Sequence, residues 1–89
     1  MSIPESCQPY KKTPVFTEET VPAGILNDHA TKAGVWGLLT VLEGALDYVV
    51  PSKGHRQKVT TETQAVIEPE VLHHVEPLGS VRFFVEFWR

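Results

Sequence analysis

Proline, glycine and acidic turn residues recur so often along this chain that we expect no long helix. They cluster near residues 22–24, 43–45, 51–54, 68–70 and 77–80. The segments between these clusters are rich in valine, leucine, isoleucine, phenylalanine and threonine, which favour strands. No segment shows the 3.6-residue apolar period of an amphipathic helix. Seven or eight short strands separated by turns predict an all-β sandwich or small barrel.

Two of these turns make specific predictions about strand pairing. The almost wholly apolar residues 35–42 are followed by Glu43-Gly44-Ala45 and then by the β-rich residues 46–50. This pattern predicts a hairpin with Gly44 in the tight turn. Residues 77–80 predict another turn, after which residues 81–88 form the last strand.

The length and composition predict one small domain and exclude some partners. A chain of 89 residues has room for a thin core, and we predict an N-terminal arm over 1–10 and a domain over 11–89. The net charge of −3, with scattered basic residues, argues against nucleic acid as a partner. A single cysteine, Cys7, allows no internal disulfide and fits a reducing compartment. Without a secretory leader or a membrane-spanning apolar run, a cytoplasmic location and no membrane partner are predicted.

The last strand also predicts self-association. Residues 81–88 are mostly apolar, and such a strand in a small domain exposes an edge and a face that need cover. A second copy of the chain would supply that cover. We therefore predict a homodimer.

Two adjacent histidines are the strongest candidates for chemistry. In a strand, alternate side chains share a face, so His73 shares one with Val71 and Val75, while His74 points the other way. The valines indicate that the His73 face is buried. A buried imidazole needs a hydrogen-bond acceptor, a carboxylate or a metal, and neutral imidazole is the commonest side-chain metal ligand.

Four segments of the sequence resemble one family. Residues 37–48 are similar to the "VLEG-x-L-x-Y" segment of cupins, and residues 66–75 resemble the second cupin motif, which ends in a metal-ligand histidine. Residues 29–37 (H-x-T-K-x-G-x-W-G) and 81–87 (V-x-F-x-V-E-F) are similar to small stand-alone cupins related to tellurite-resistance protein B. This resemblance covers residues 14–89.

The resemblance implies a cupin-type jelly-roll β-barrel that is often dimeric, with a pocket for a divalent metal or a small molecule. It also suggests a role in a tellurite or stress response. The 89 residues contain no Gly-rich nucleotide loop, so we do not expect them to carry out a methyl transfer themselves. The metal motif departs from the usual cupin pattern, because His29 stands alone in its region and Gly37 replaces the expected glutamate.

The candidate metal ligands are His29, His73 and Glu86. Glu86 lies among aromatic residues in the last strand, where a carboxylate is costly to bury unless it is paired or binds a cation. Two histidines and one carboxylate suit Fe, Mn, Ni or Zn as divalent ions. The alternatives are a backbone hydrogen bond for His73 and an ion pair of Glu86 with Arg82. Three hypotheses follow: a binding module, a metal-dependent dioxygenase or isomerase, and a purely structural dimer module.

Overall fold

A computed structural model describes residues 2–89. They form six strands, one short α-helix and one 3₁₀ turn. The strands are β1 (Pro9–Lys12), β2 (Phe16–Thr17), β3 (Trp36–Val50), β4 (His55–Thr60), β5 (Gln64–Ile67) and β6 (His74–Trp88). The helix α1 spans Ala23–Leu26, and the 3₁₀ turn spans Pro51–Lys53.

All six strands belong to one antiparallel sheet that is built around β3 and β6. These two long strands pair with each other along most of their length. On the free edge of β6 lie β1 and β2, and on the free edge of β3 lie β5 and β4, one after the other. The prediction of an all-β domain is confirmed. The sheet does not close on itself, so the predicted barrel is not confirmed.

The predicted hairpin at Gly44 is wrong, because residues 36–50 form one continuous strand. Gly44 lies where β3 bulges against β6 and has a φ of 77°, a conformation that favours glycine. A Cβ on Gly44 would lie 2.0 Å from the carbonyl oxygen of Ser80. Glycine is therefore needed for close contact between two strands, not for a reversal. The turn predicted at residues 77–80 is likewise part of the continuous strand β6.

The irregular pairing in β3 keeps one face of the bent sheet apolar. Before the bulge the inward side chains are odd-numbered, as in Leu39 and Val41, and after it they are even-numbered, as in Leu46 and Tyr48. Val75, Val81, Phe83 and Val85 face them from β6. One core therefore runs across both halves of the sheet.

The N-terminal residues are attached to this sheet. Strand β1 contains the last two residues of the predicted arm and the first two of the predicted domain, and it pairs with the end of β6. Backbone hydrogen bonds between Gln8 and Arg89 extend this pairing. Within residues 2–89, neither helical segment is long and apolar enough to cross a bilayer.

Candidate functional site

His29 and His73 come together although they are far apart in the sequence. Their backbones form an isolated antiparallel bridge, in which each amide donates to the other residue's carbonyl at 2.9 and 2.8 Å. Paired residues of this kind place their side chains on the same face. The two imidazole ring centres lie 4.2 Å apart. The loop before β3 is thus joined to the start of β6 by a pair of histidines.

Each imidazole is held through its Nδ1 atom by the backbone carbonyl two residues earlier. Nδ1 of His73 lies 2.9 Å from the carbonyl oxygen of Val71, and Nδ1 of His29 lies 3.0 Å from that of Asn27. A carbonyl oxygen only accepts hydrogen bonds, so each Nδ1 carries the proton and each neutral ring keeps its lone pair on Nε2. Within residues 2–89, neither Nε2 atom has a hydrogen-bond partner.

His73 is buried, yet its Nε2 atom is not sealed in the core. The residue is 2% exposed, and its burial, with the nearby His29, lowers its pKa although the hydrogen bond to Val71 opposes the shift. In residues 2–89, every side-chain nitrogen or oxygen that is fully buried has a hydrogen-bond partner. The unpartnered Nε2 atom therefore reaches open space, and the lowered pKa of the ring favours its neutral form.

That open space is a cavity of about 450 Å³, which we call the histidine cavity. Its walls come from the inner face of the sheet, from α1 and the loop before β3, and from β1. The apolar wall residues are Ile25, Ala30, Val35, Leu39, Ile67, Val75, Val85 and Phe87. His29 and His73 are part of the same lining, so the cavity combines an apolar surface with two imidazole acceptors.

The polar rim of the histidine cavity is positively charged. Lys11, Lys32 and Arg89 line it, and all three are exposed. No aspartate or glutamate of residues 2–89 lines it, although the whole chain has 11 acidic and 8 basic side chains. The guanidinium carbon of Arg89 lies 4.0 Å from the ring centre of Tyr10, another lining residue. Sequence reasoning missed these cations, although Lys32 lies in the quoted 29–37 motif.

The structure does not bring Glu86 to the two histidines. Glu86 lies on the outer face of β6, whereas its neighbours Val85 and Phe87 line the cavity. Its carboxylate accepts a hydrogen bond of 3.0 Å from Nε1 of Trp88. Within residues 2–89 there is no group of three or more His, Cys, Asp or Glu that could hold a metal ion. The three predicted ligands therefore do not assemble into one site.

The alternative ion pair of Glu86 with Arg82 does not form either. Arg82 lies on the same outer face of β6 but approaches Glu43, at 3.8 Å, and both of these side chains are largely exposed. The Trp88 hydrogen bond instead satisfies one oxygen of Glu86.

His74 faces away from the cavity and lies in a charged network. Its Nδ1 is 2.7 Å from Asp28 and its Nε2 is 2.7 Å from Glu76. The hydrogen bonds to Glu76 and Asp28 raise the pKa of His74. Hydrogen bonds from Arg56 and His74 lower the pKa of Glu76 to about 2, and Arg56 also contacts Asp47. Asp28 precedes His29, and His74 follows His73. The hydrogen bond between Asp28 and His74 therefore links the two sides of the histidine bridge a second time.

A second cavity of about 470 Å³ opens between β4 and β5. The ring of Tyr48 lines it and lies 5.5 Å, centre to centre, from that of His73. Burial, and then the negative charge of Glu68, raises the pKa of Tyr48 to about 12. An ion pair of 2.8 Å between Lys53 and Glu68 lies in the same lining. This cavity is mainly polar and shares no lining residue with the histidine cavity.

Comparison with known proteins identifies the family. The sequence model of the TehB-like domain matches residues 11–85, which is most of the chain. The chain belongs to the TehB-like domain family. The predicted relation to tellurite-resistance protein B is therefore confirmed.

Two relatives match the chain over different shares of their own length. The chain is 36% identical over 75 residues to the "Probable S-adenosyl-L-methionine-dependent methyltransferase TehB" of Haemophilus influenzae, with 79% of this chain and 26% of that protein covered. The chain thus spans about a quarter of that relative's length. It is also 30% identical over 93 residues to the "Uncharacterized protein YeaR" of Escherichia coli K12, covering 94% of this chain and 78% of that one.

Solved structures agree with this assignment. The crystal structure of TehB from Haemophilus influenzae superposes with a TM-score of 0.84 at 31% identity, covering 94% of this chain and 32% of that one. A crystal structure of a protein from Escherichia coli K12 gives a TM-score of 0.90 at 27% identity, covering 100% of this chain and 96% of that one. The TehB-like fold thus extends over nearly the whole chain.

Proposed function

We propose that this protein is a binding module that holds a small molecule in the histidine cavity. The observation that carries the proposal is the pair of imidazoles with their Nε2 lone pairs free. A largely apolar cavity with a few convergent polar groups is the usual form of a small-molecule site. Its volume of about 450 Å³ lies within the range typical of such sites.

The histidine pair determines which ligand groups fit the base of the cavity. A neutral imidazole with Nδ1 already donating can offer only an acceptor at Nε2. Burial keeps His73 neutral, because a charged ring would lose its hydration there. A bound molecule therefore needs a hydroxyl or N–H donor on the part that meets His29 and His73. The apolar walls would contact the rest of it.

A fragment screen by NMR tests this proposal. Neutral, cationic and anionic fragments are added to isotope-labelled protein, and the imidazole Hε1 signals of His29 and His73 are followed. We expect some fragments to shift both signals in a saturable way in the wild type and in the control His55→Gln. The same fragments should bind more weakly to His73→Gln, because Gln does not reproduce the imidazole ring. Failure of every fragment to shift either signal would sink the proposal.

A divalent metal is the second candidate ligand. The observation that favours it is the shared hydrogen-bond pattern: metal-binding histidines commonly donate their other N–H to a backbone carbonyl. Fe, Mn, Ni or Zn held by His29 and His73 would need its remaining ligands from water or from a bound molecule. A metal-dependent dioxygenase or isomerase is the enzymatic form of this hypothesis.

Elemental analysis of untagged protein separates the metal hypothesis from simple small-molecule binding. One metal per chain in the wild type, lost in His73→Ala and retained in His55→Ala, would support it. Metal-free protein that binds fragments in the cavity would rule out the metal and the metal-dependent enzyme together.

We also propose that the bent sheet is a cupin-type jelly roll and that its ligand takes part in a tellurite or stress response. The resemblance of residues 29–37 and 66–75 to cupin segments supports the first part. Relationship to tellurite-resistance protein B supports the second. Tellurite, itself an oxyanion, belongs among the compounds titrated in the NMR experiment, and absence of binding would contradict a direct role for it.

A further inference from the structure

We infer that the ligand of the histidine cavity is a small organic acid that carries a hydrogen-bond donor opposite its anionic group. This inference rests on the proposed binding function and adds the chemical class of the ligand. It depends on the arrangement of charge in the cavity: acceptors at a buried base, and cations at an exposed rim.

The rim provides the anion-binding half. Lys11, Lys32 and Arg89 are all exposed, and none of them makes a salt bridge within residues 2–89. The chain has more acidic than basic side chains, yet no carboxylate side chain of the described residues lines this cavity. An anion at the rim therefore meets three basic side chains and no acidic side chain among the lining residues. A cationic ligand would be repelled by the same basic side chains.

The base provides the donor-binding half. His73 is 98% buried, given its exposure of 2%, and its unpartnered Nε2 atom reaches the cavity. His29 presents a second such atom beside it, with ring centres 4.2 Å apart. His73 is buried and His29 is half-buried, so the Nε2 atom of His73 gains most from a partner, and a ligand with a donor at this end is favoured over one without.

The walls between the base and the rim favour an apolar body. Val35, Val75, Val85 and Phe87 lie among the lining residues and bring no charge. A hydroxyaryl acid of about ten non-hydrogen atoms is small enough for a cavity of about 450 Å³. The simplest probe with all three features is 4-hydroxybenzoate.

Three matched probes test the two halves separately on the full chain. Dissociation constants are measured by NMR titration for 4-hydroxybenzoate, for benzoate, which lacks the donor, and for 4-hydroxybenzamide, which lacks the charge. We expect 4-hydroxybenzoate to bind at least about tenfold more tightly than either of the others, which corresponds to about 1.4 kcal/mol for each half. Raising the salt concentration should weaken the two acids and leave the amide unchanged.

The double variant Lys11→Gln/Lys32→Gln identifies the source of the charge preference. It should remove most of the advantage of 4-hydroxybenzoate over 4-hydroxybenzamide, whereas Lys58→Gln, an exposed lysine outside the cavity, should preserve it. Equal affinity for the acid and the amide in the wild type overturns the inference. If neutral fragments shift the His29 and His73 signals but no acid does, the inference fails while the proposed function stands. If nothing binds, both fail.

Discussion

Replacing Gly44 by alanine tests the close contact between β3 and β6 that sequence reasoning took for a hairpin turn. Gly44 has a φ of 77°, and an added Cβ would lie 2.0 Å from the Ser80 carbonyl oxygen and 3.1 Å from the Val81 Cα atom. Both neighbours are backbone atoms, so no side chain can rotate away. The two strands must separate at the bulge if alanine is to fit.

The expected cost has two parts. An alanine in the left-handed region costs about 1–2 kcal/mol. Separation of the strands adds the loss of nearby backbone hydrogen bonds, at about 1 kcal/mol each, and of core packing. We expect Gly44→Ala to lose about 4 kcal/mol or more of unfolding free energy. Gly79→Ala isolates the first part, because Gly79 has a φ of 83° but nothing within 4 Å of the added Cβ.

Urea denaturation of the two variants and the wild type, followed by circular dichroism, measures these free energies. For a domain of this size 1 kcal/mol corresponds to about 4–8 °C in Tm, so thermal melts provide a second readout. We expect Gly79→Ala to lose about 1–2 kcal/mol. Equal stability of the two variants would refute the argument, because it would mean that the strands separate at no cost.

Three further predictions concern the pH response, the core and the assembly. His74 has a raised pKa in the folded protein, so its contribution to stability is complete below the unfolded pKa and disappears as pH rises through the folded pKa. His74→Gln should flatten this part of the curve of unfolding free energy against pH. An unchanged curve would contradict the network. Phe83→Ala, at a residue with 0% exposure, should cost about 3–5 kcal/mol in urea denaturation, whereas the exposed Leu72→Ala should cost far less. Multi-angle light scattering should give a homodimer of twice the 9.9 kDa chain mass, and a mass of one chain would rule it out.

Sequence reasoning located His73 correctly because strand periodicity is a local property. The alternation of Val71, His73 and Val75 predicted a buried face, and the structure places His73 among the buried residues and His74 outside them. The same reasoning placed Glu86 correctly on a face with Phe84 and Trp88. It could not show that this face is the outer one, because a strand has two faces and the sequence does not say which of them faces the core.

The cavity cations could not be predicted because they converge only in the folded chain. Lys11 comes from β1, Lys32 from the loop before β3, and Arg89 from the far end of the chain. Similarly, the partner of His74 in the network, Asp28, is 46 residues away. Such contacts depend on pairing between distant segments, which local pattern does not encode.

The sequence by itself determined the all-β class, the family and the buried position of His73, because turn residues, strand alternation and short motifs depend on neighbours in the chain. Only the tertiary structure shows that Gly44 lies within a continuous strand and not in a hairpin turn. Its role is to allow close approach of the Ser80 backbone, which is 36 residues later in the chain. The tertiary structure also decided that His29 joins His73 while Glu86 lies on the outer face. Each of these outcomes is fixed by which strands pair and by how the bulges turn the sheet, and these are properties of the whole fold.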